Sequence, residues 1–286
     1  MFTIPTVATL GVLLQFAVGS ILEISPAYLN GSVHVETLSA PGNLDGPKIQ
    51  SSANRSSFDF WYFGAVSSSN NAGVIITFFN SAELGNESPL SVQVSGSFPN
   101  GTLFSGEALA TSNAVISNCS GGISGVWGGT GASFRGADLH KPNVEYDILL
   151  DMPSIGIKGT VALKSRAPAR YPCDFNVPGV DQELLPNLSW SNALPDAEAT
   201  VNLNINGTSI DFSGGIGYHD KNWGDAPVYT NARSWDWGHA RFGPFSVVWF
   251  DILDRSNSEH LYAFVAKNGK PVLLSCADSA LQMEKC

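Results

Sequence analysis

The sequence predicts an all-β protein with two packed cores, and three observations predict it. Period-two runs rich in Val, Ile, Phe, Trp and Thr recur along the chain, each ended by Gly, Asn, Ser or Pro. The 29 Gly and 16 Pro punctuate the 286 residues at short intervals, and almost nowhere does the 3.6-residue spacing of an amphipathic helix develop. The length also exceeds what one ordinary all-β core encloses, so two sheets or barrels are expected.

Taken in order, the expected strands are 32–37, 57–66, 72–80, 90–98, 103–110, 114–118, 144–150 and 155–164. After a break come 200–205, 209–216, 234–241, 245–253, 260–267 and 270–274. Asn100-Gly101 and Asn268-Gly269 stand between strand-like runs, the strongest short-range hairpin signal. A single short helix is expected at 278–285. The break at 166–198 holds Pro168, Pro172, Pro178, Pro186 and Pro195, which interrupt any ladder. It divides an N-terminal β domain, 20–185, from a C-terminal one, 186–286. After the break about ninety residues remain to close the second sheet, few for an eight-stranded barrel, so an open or shortened second domain is expected.

Charge and processing signals narrow the setting. A net charge of −10 with no cluster of Lys or Arg lacks the electrostatic footprint of a nucleic-acid binder. Residues 7–18 form an apolar run, and Ala17-x-Gly19 before Ser20 fits a signal-peptidase site, so 1–19 are expected to be a leader. That run is short for a bilayer span and nothing later resembles it, so no stable membrane insertion is expected. Asn-x-Ser/Thr sequons at Asn30, Asn54, Asn86, Asn100, Asn118, Asn187 and Asn206 agree with passage through the secretory pathway. In that oxidising setting Cys119, Cys173, Cys276 and Cys286 would form one or two disulfides. Their spacing leaves the pairing open. A Cys119–Cys276 bridge would tie the two halves together, with Cys286 left free. The sequence has no Gly-x-Ser-x-Gly elbow, and its His and Cys lack metal-ligand spacing, so neither a hydrolase nor a metal site is expected.

Candidate chemistry is concentrated in the second half. In Gly214–Gly224, strand alternation would put His219, Lys221 and Trp223 on one face and Tyr218, Asp220 and Asn222 on the other. In 245–253 the same rule aligns Val247, Trp249, Asp251 and Leu253. A lone Asp on an apolar face must be paired, for instance with Arg241 or Lys221, or be doing chemistry. Trp235, Trp237 and His239 share a third face, and Trp61-Tyr62-Phe63 and Trp127 add rings from the first half. Such rings suit core packing as well as a ligand cavity.

The run Gly217-Tyr218-His219-Asp220-Lys221-Asn222-Trp223-Gly224, followed by Trp235-Asp236-Trp237-Gly238 and Val248-Trp249-Phe250-Asp251, resembles the signature of the carotenoid 1,2-hydratase superfamily. It resembles in particular the fungal lipocalin-like branch that includes Diels–Alder and hetero-Diels–Alder cyclases. Gly125–Gly131 is a weaker cue. The resemblance implies two lipocalin-like β-sandwich or β-barrel domains, a ligand pocket at or near their junction, and no cofactor. The family's His-x-Trp and Tyr-x-Asp pairs fall at Lys221-x-Trp223 and Trp249-x-Asp251, so two positions depart from the hydratases. A cycloaddition tolerates that loss, because holding two reacting ends in one orientation supplies much of the rate. The resemblance therefore implies a cofactor-free pericyclase joining a polyketide-derived quinone methide of tropolone type to a terpene alkene. Hydration of an isoprenoid and secreted carriage of an apolar metabolite are the alternatives. Lys221, Asp251 and His219 are then the expected catalytic groups, and Trp223, Trp249, Trp235, Trp61, Trp127 and Tyr218 the expected substrate-binding aromatics.

Overall fold

Alternation decides which way each strand faces. In β9 (Glu145–Met152), Glu145, Asp147, Leu149 and Asp151 are exposed while Tyr146, Ile148, Leu150 and Met152 are buried. The computed structural model, which describes residues 20–39, 44–119, 122–139, 141, 144–175 and 177–277, repeats this pattern through two antiparallel sheets. The leader, the expected C-terminal helix and Cys286 lie outside the described residues.

The first sheet contains β1 (Ser20–Ile24), β2 (Phe58–Val66), β3 (Gly73–Ser81), β4 (Leu90–Ser97), β5 (Leu103–Leu109), β6 (Ala114–Cys119), β7 (Gly122–Trp127), β8 (Ala132–Ala137), β9, β10 (Ile157–Ser165), β11 (Glu183–Leu185), β12 (Leu188–Ile205) and β13 (Thr208–Gly224). Its order is β1-β6-β7-β8-β9-β10-β12-β13-β2-β3-β4-β5, with β11 beside β12. β2 and β7 are far apart in that order. Yet Trp61 and Trp127 meet edge to face at 5.5 Å, and the Trp127 indole donates to the Phe79 carbonyl at 2.7 Å. The sheet therefore curls into a half-barrel around one apolar core, in which Trp61, Phe63, Phe78, Phe134 and Tyr146 are buried.

The second sheet is open, with β14 (Ala232–Phe242), β15 (Phe245–Asp254), β16 (Glu259–Lys267) and β17 (Lys270–Ser275) in sequential order. Asn268 (φ 51°) and Gly269 (φ 74°) make its last hairpin a turn with two left-handed residues, as Asn-Gly favours. One face packs on the outside of the half-barrel through Val248, Phe250, Ile252, Tyr262 and Phe264, against Phe58, Leu188, Trp190 and Tyr218. The fold is thus all-β and lipocalin-like, as expected.

The expected division at 185/186 does not follow the sheets. β12 pairs with β10 and β13 with β2, so Leu188–Gly224 completes the first sheet, and the sheets part between Gly224 and Ala232. The Pro-rich break had concealed β11 and the first half of β12. Pro195 lies inside β12 where the register shifts between Leu194 and Ala197, a position that needs no ladder donor. The expected strand at 32–37 is reduced to one isolated bridge, Val35 with Ile49, followed just beyond it by Leu38 with Asp181.

The disulfide joins Cys173 to Cys276, correcting the expected Cys119–Cys276 pair; Cys119 ends β6 exposed and unpaired among the described residues. The Cys173–Cys276 bridge ties the β10–β11 connection of the first sheet to the residue after β17 of the second, across a separation of 103 residues. Closing so long a loop restricts the unfolded chain, so Cys173→Ser is expected to lower stability by about 2–4 kcal/mol in urea titrations.

Candidate active site

The pleat of β13 separates two rows, as its sequence predicted. His219, Lys221 and Trp223 point inward, beneath the buried segment 44–49. The His219 ring stacks on Phe63 at 3.9 Å; Nδ1 donates to the Tyr62 carbonyl at 2.9 Å, and Nε2 faces the Asp45 carboxylate at 2.9 Å. Tyr146 donates to the other Asp45 oxygen at 2.5 Å. Lys221 is ion-paired to Asp59 and lies over the Trp61 ring, 3.2 Å from its centroid. Trp223 donates to the Glu36 carbonyl at 2.7 Å, with the Lys48 ammonium 4.7 Å from its ring centroid. Burial, reinforced by the nearby Lys221 charge, pushes Lys48 down to about 7 against the opposing pull of Asp59, Glu36 and Asp45. Every group in this row is 0% exposed, so the space around it is filled by the protein itself.

Trp249 and Asp251 face the other way. Phe250, between them, packs on Trp190 at the junction of the sheets, so its neighbours project from the far side of the second sheet. Trp249 donates to Asp236 at 3.2 Å. Lys221 with Trp223 and Trp249 with Asp251 therefore do not share a hollow, correcting that expectation: two sheets separate them. Arg241, expected as an Asp251 partner, forks instead onto Asp196, with Nε 3.0 Å from each carboxylate oxygen. Trp61 and Trp127 belong to the half-barrel core, and Trp235 packs edge-on against Phe250 at 5.8 Å with much of its surface exposed.

The outer row of β13 holds the junction chemistry. Tyr218 lies opposite Gly64 and Asp220 opposite Tyr62 on β2. The Asp220 carboxylate accepts from the Tyr218 hydroxyl at 2.7 Å and the Trp190 indole at 2.8 Å, and the Trp237 indole donates to the Tyr218 oxygen at 3.2 Å. His239 stacks on Tyr218 at 4.5 Å, and Tyr62 stands edge-on to Trp237 at 5.4 Å. Arg170 lies buried between the rings of Trp190 and Phe264, 4.6 and 4.8 Å from their centroids.

Beside this cluster opens a cleft of about 710 Å³. Its floor is the outer face of β2–β5, where Gly64, Ser95, Ser97 and Ser105 leave a low surface flanked by Val66, Ile75 and Leu103; Tyr62 and His239 stand at its head. Neither the Tyr62 hydroxyl nor the His239 imidazole has a hydrogen-bond partner among the described residues. Burial and the Asp220 charge push the Tyr62 phenol up, keeping it protonated as a donor. Burial holds His239 down to about 4, so the ring is uncharged at neutral pH. Of the expected site residues only Tyr218 comes near, as a buried support behind the head wall. Tyr62 and His239 were visible in the sequence only as members of aromatic runs. The signal was the small residue two places after Tyr62, which clears the floor. Among the described residues no group of three His, Cys, Asp or Glu is placed to hold a metal, and no helix is long and apolar enough to cross a membrane.

Residues 22–285 match the Diels-Alderase-like family model, and the chain belongs to that family. It is 42% identical over 259 residues to the quinolone epoxide rearrangement protein asqO of Emericella nidulans, covering 88% of this chain and 70% of that protein. It is 28% identical to the Diels-Alderase pyiF of Pyricularia grisea over 75% of this chain, spanning about half (51%) of that protein. The crystal structure of CghA with Sch210972 superposes with a TM-score of 0.76 at 19% identity, covering 90% of this chain and 70% of that one, a likeness of fold.

Proposed function

We propose that this chain is a cyclase-type enzyme that isomerises a flat, apolar secondary metabolite in the junction cleft, with rearrangement of a quinolone-type epoxide as the leading reading. The carrying observation is a low-floored cleft headed by two polar rings that lack a hydrogen-bond partner among the described residues, in a chain 42% identical to a protein named for that rearrangement. Opening an epoxide breaks a C–O bond and builds charge on oxygen, where the Tyr62 hydroxyl can donate a hydrogen bond. A neighbouring group then moves with its electron pair to the electron-poor carbon, and the oxygen closes to a carbonyl. The product is an isomer, so atoms and electrons balance without a co-reactant. The face of Tyr62 can stabilise the developing cation, and the uncharged His239 places no like charge beside it.

The Diels-Alderase relatives favour a second reading, in which the cleft aligns an electron-poor diene or quinone methide, of tropolone type as first expected, with a terpene alkene. Kinship with the carotenoid 1,2-hydratases, read from Trp223 and Asp251, stays a proposal. Hydration chemistry gains little support, since neither residue lines the cleft. Passage through the secretory pathway is also proposed, and exposed sequons at Asn30, Asn100 and Asn206 are compatible with it.

The test is incubation of the purified chain with a synthetic quinolone epoxide, following products of unchanged mass by chromatography, with a quinone methide and sesquiterpene alkene in parallel. Turnover no faster than in buffer on both substrate sets would overturn the reading, and a retained, unaltered ligand would indicate a carrier. Tyr62→Phe should lower kcat by about 10²- to 10³-fold with little change in KM, since the bond it removes forms most strongly as charge develops.

A further inference from the structure

Asp220 is fully buried at the junction of the sheets, yet it reaches the cleft through other side chains. Its carboxylate fixes the Tyr218 proton, since that hydroxyl donates to Asp220. The Tyr218 oxygen is thereby left to accept from the Trp237 indole, on the other sheet. Trp237 in turn bears edge-on against Tyr62 at the head of the cleft. Trp190 donates to Asp220 from behind, and the buried Arg170 nearby keeps Nε and Nη2 without a hydrogen-bond partner among the described residues in its apolar sandwich. The positive charge of Arg170 favours the ionised carboxylate of Asp220.

We infer that Asp220 is a positioning residue whose ionised carboxylate, acting through Tyr218 and Trp237, sets the placement of Tyr62 and so pre-organises the cleft. This rests on the cleft being the site of the reaction. Burial, partly offset by the hydrogen bonds of Trp190 and Tyr218 and by the charges of His219 and Arg170, pushes Asp220 up to about 6. Also around it are Tyr62 on β2, His239 stacked on Tyr218 from β14, and Lys221 on the opposite face of β13. Because the folded value lies above the ordinary 3.8, ionising Asp220 costs the fold stability as pH rises from about 4 to 6. His239, depressed to about 4, contributes the opposite slope between about 4 and 6.5, so the variant must be read against wild type.

The experiment is Asp220→Asn in the full chain, with two readouts. In wild type the near-ultraviolet circular dichroism of the tryptophans should show a pH step near 6, and kcat/KM should rise through the same window; Asp220→Asn should lose both. At pH 7.5 its kcat/KM should fall about tenfold, while its urea midpoint is no lower than that of wild type. Trp237→Phe, at the half-buried end of the chain, should reproduce the kinetic loss if Asp220→Asn folds poorly. A pH step that survives in Asp220→Asn, or a drop in stability with kcat/KM unchanged, overturns the inference. The dichroism needs no substrate, so absence of turnover in wild type would sink the functional reading while leaving the positioning claim to be decided on the spectra.

Discussion

Lys221→Met is expected to cost the fold about 3–5 kcal/mol, because removing one partner of a buried pair strands the other charge. Asp59 is 0% exposed, and the backbone N–H of Lys48 at 2.7 Å would remain its principal donor. The methionine keeps most of the stem that lies over Trp61, so the loss reports charge more than packing. Urea unfolding should show a lower midpoint at unchanged slope, and adding Asp59→Leu should recover part of the loss, since an apolar pair can replace a buried ionic one. Turnover per folded molecule should be retained. A folded but inactive Lys221→Met would return this lysine to the chemistry and refute the separation of the inner row from the cleft.

Gly64→Leu should reduce kcat/KM by at least a hundredfold while leaving the midpoint of unfolding within about 1 kcal/mol of wild type. A Cβ at residue 64 would meet the Tyr62 ring at 3.4 Å, ordinary contact, and the backbone is not in the left-handed region, so a side chain is sterically admissible. It would rise from the cleft floor between Ile75 and Tyr218, the cross-strand neighbours of Gly64, into the space that a flat ligand needs. Side chains with β propensity also suit a central strand better than glycine, which offsets small packing costs. Gly64→Ala should lie between, with a raised KM and a nearly normal kcat. If Gly64→Leu turns over normally, the substrate binds elsewhere.

Much of this architecture was legible because strands advertise themselves by alternation and turns by Asn-Gly. The split of β13 into a His219-Lys221-Trp223 row and a Tyr218-Asp220 row follows from pleating alone. What alternation cannot say is which row meets open space, because both faces of β13 are covered: one by segment 44–49, the other by the second sheet. Segment 44–49 has no period, so Asp45 and Lys48, the groups that consume the inner row, gave no warning. The β12 prolines read as a linker because a bulge that accommodates Pro195 is set by pairing with β13, not by local sequence. Tyr62 and His239 were missed for a related reason, since they come from different sheets and meet only when those sheets pack.

β12 and β13 run through both cores. Leu188, Trp190 and Tyr218 serve the junction, while residues farther along the same strands, from Leu194 to Ile205 and from Ile210 to Phe212, build the half-barrel interior. The two halves are consequently not modules that evolution or an engineer could exchange. Cutting before Ala232 would leave a wet, aromatic flank with an arginine and an aspartate that were placed for dryness, and the remaining ribbon of four strands would have lost the surface it leans on. A molecule laid out this way stands or falls as one cooperative body, and the cleft at its junction exists only while that body is whole.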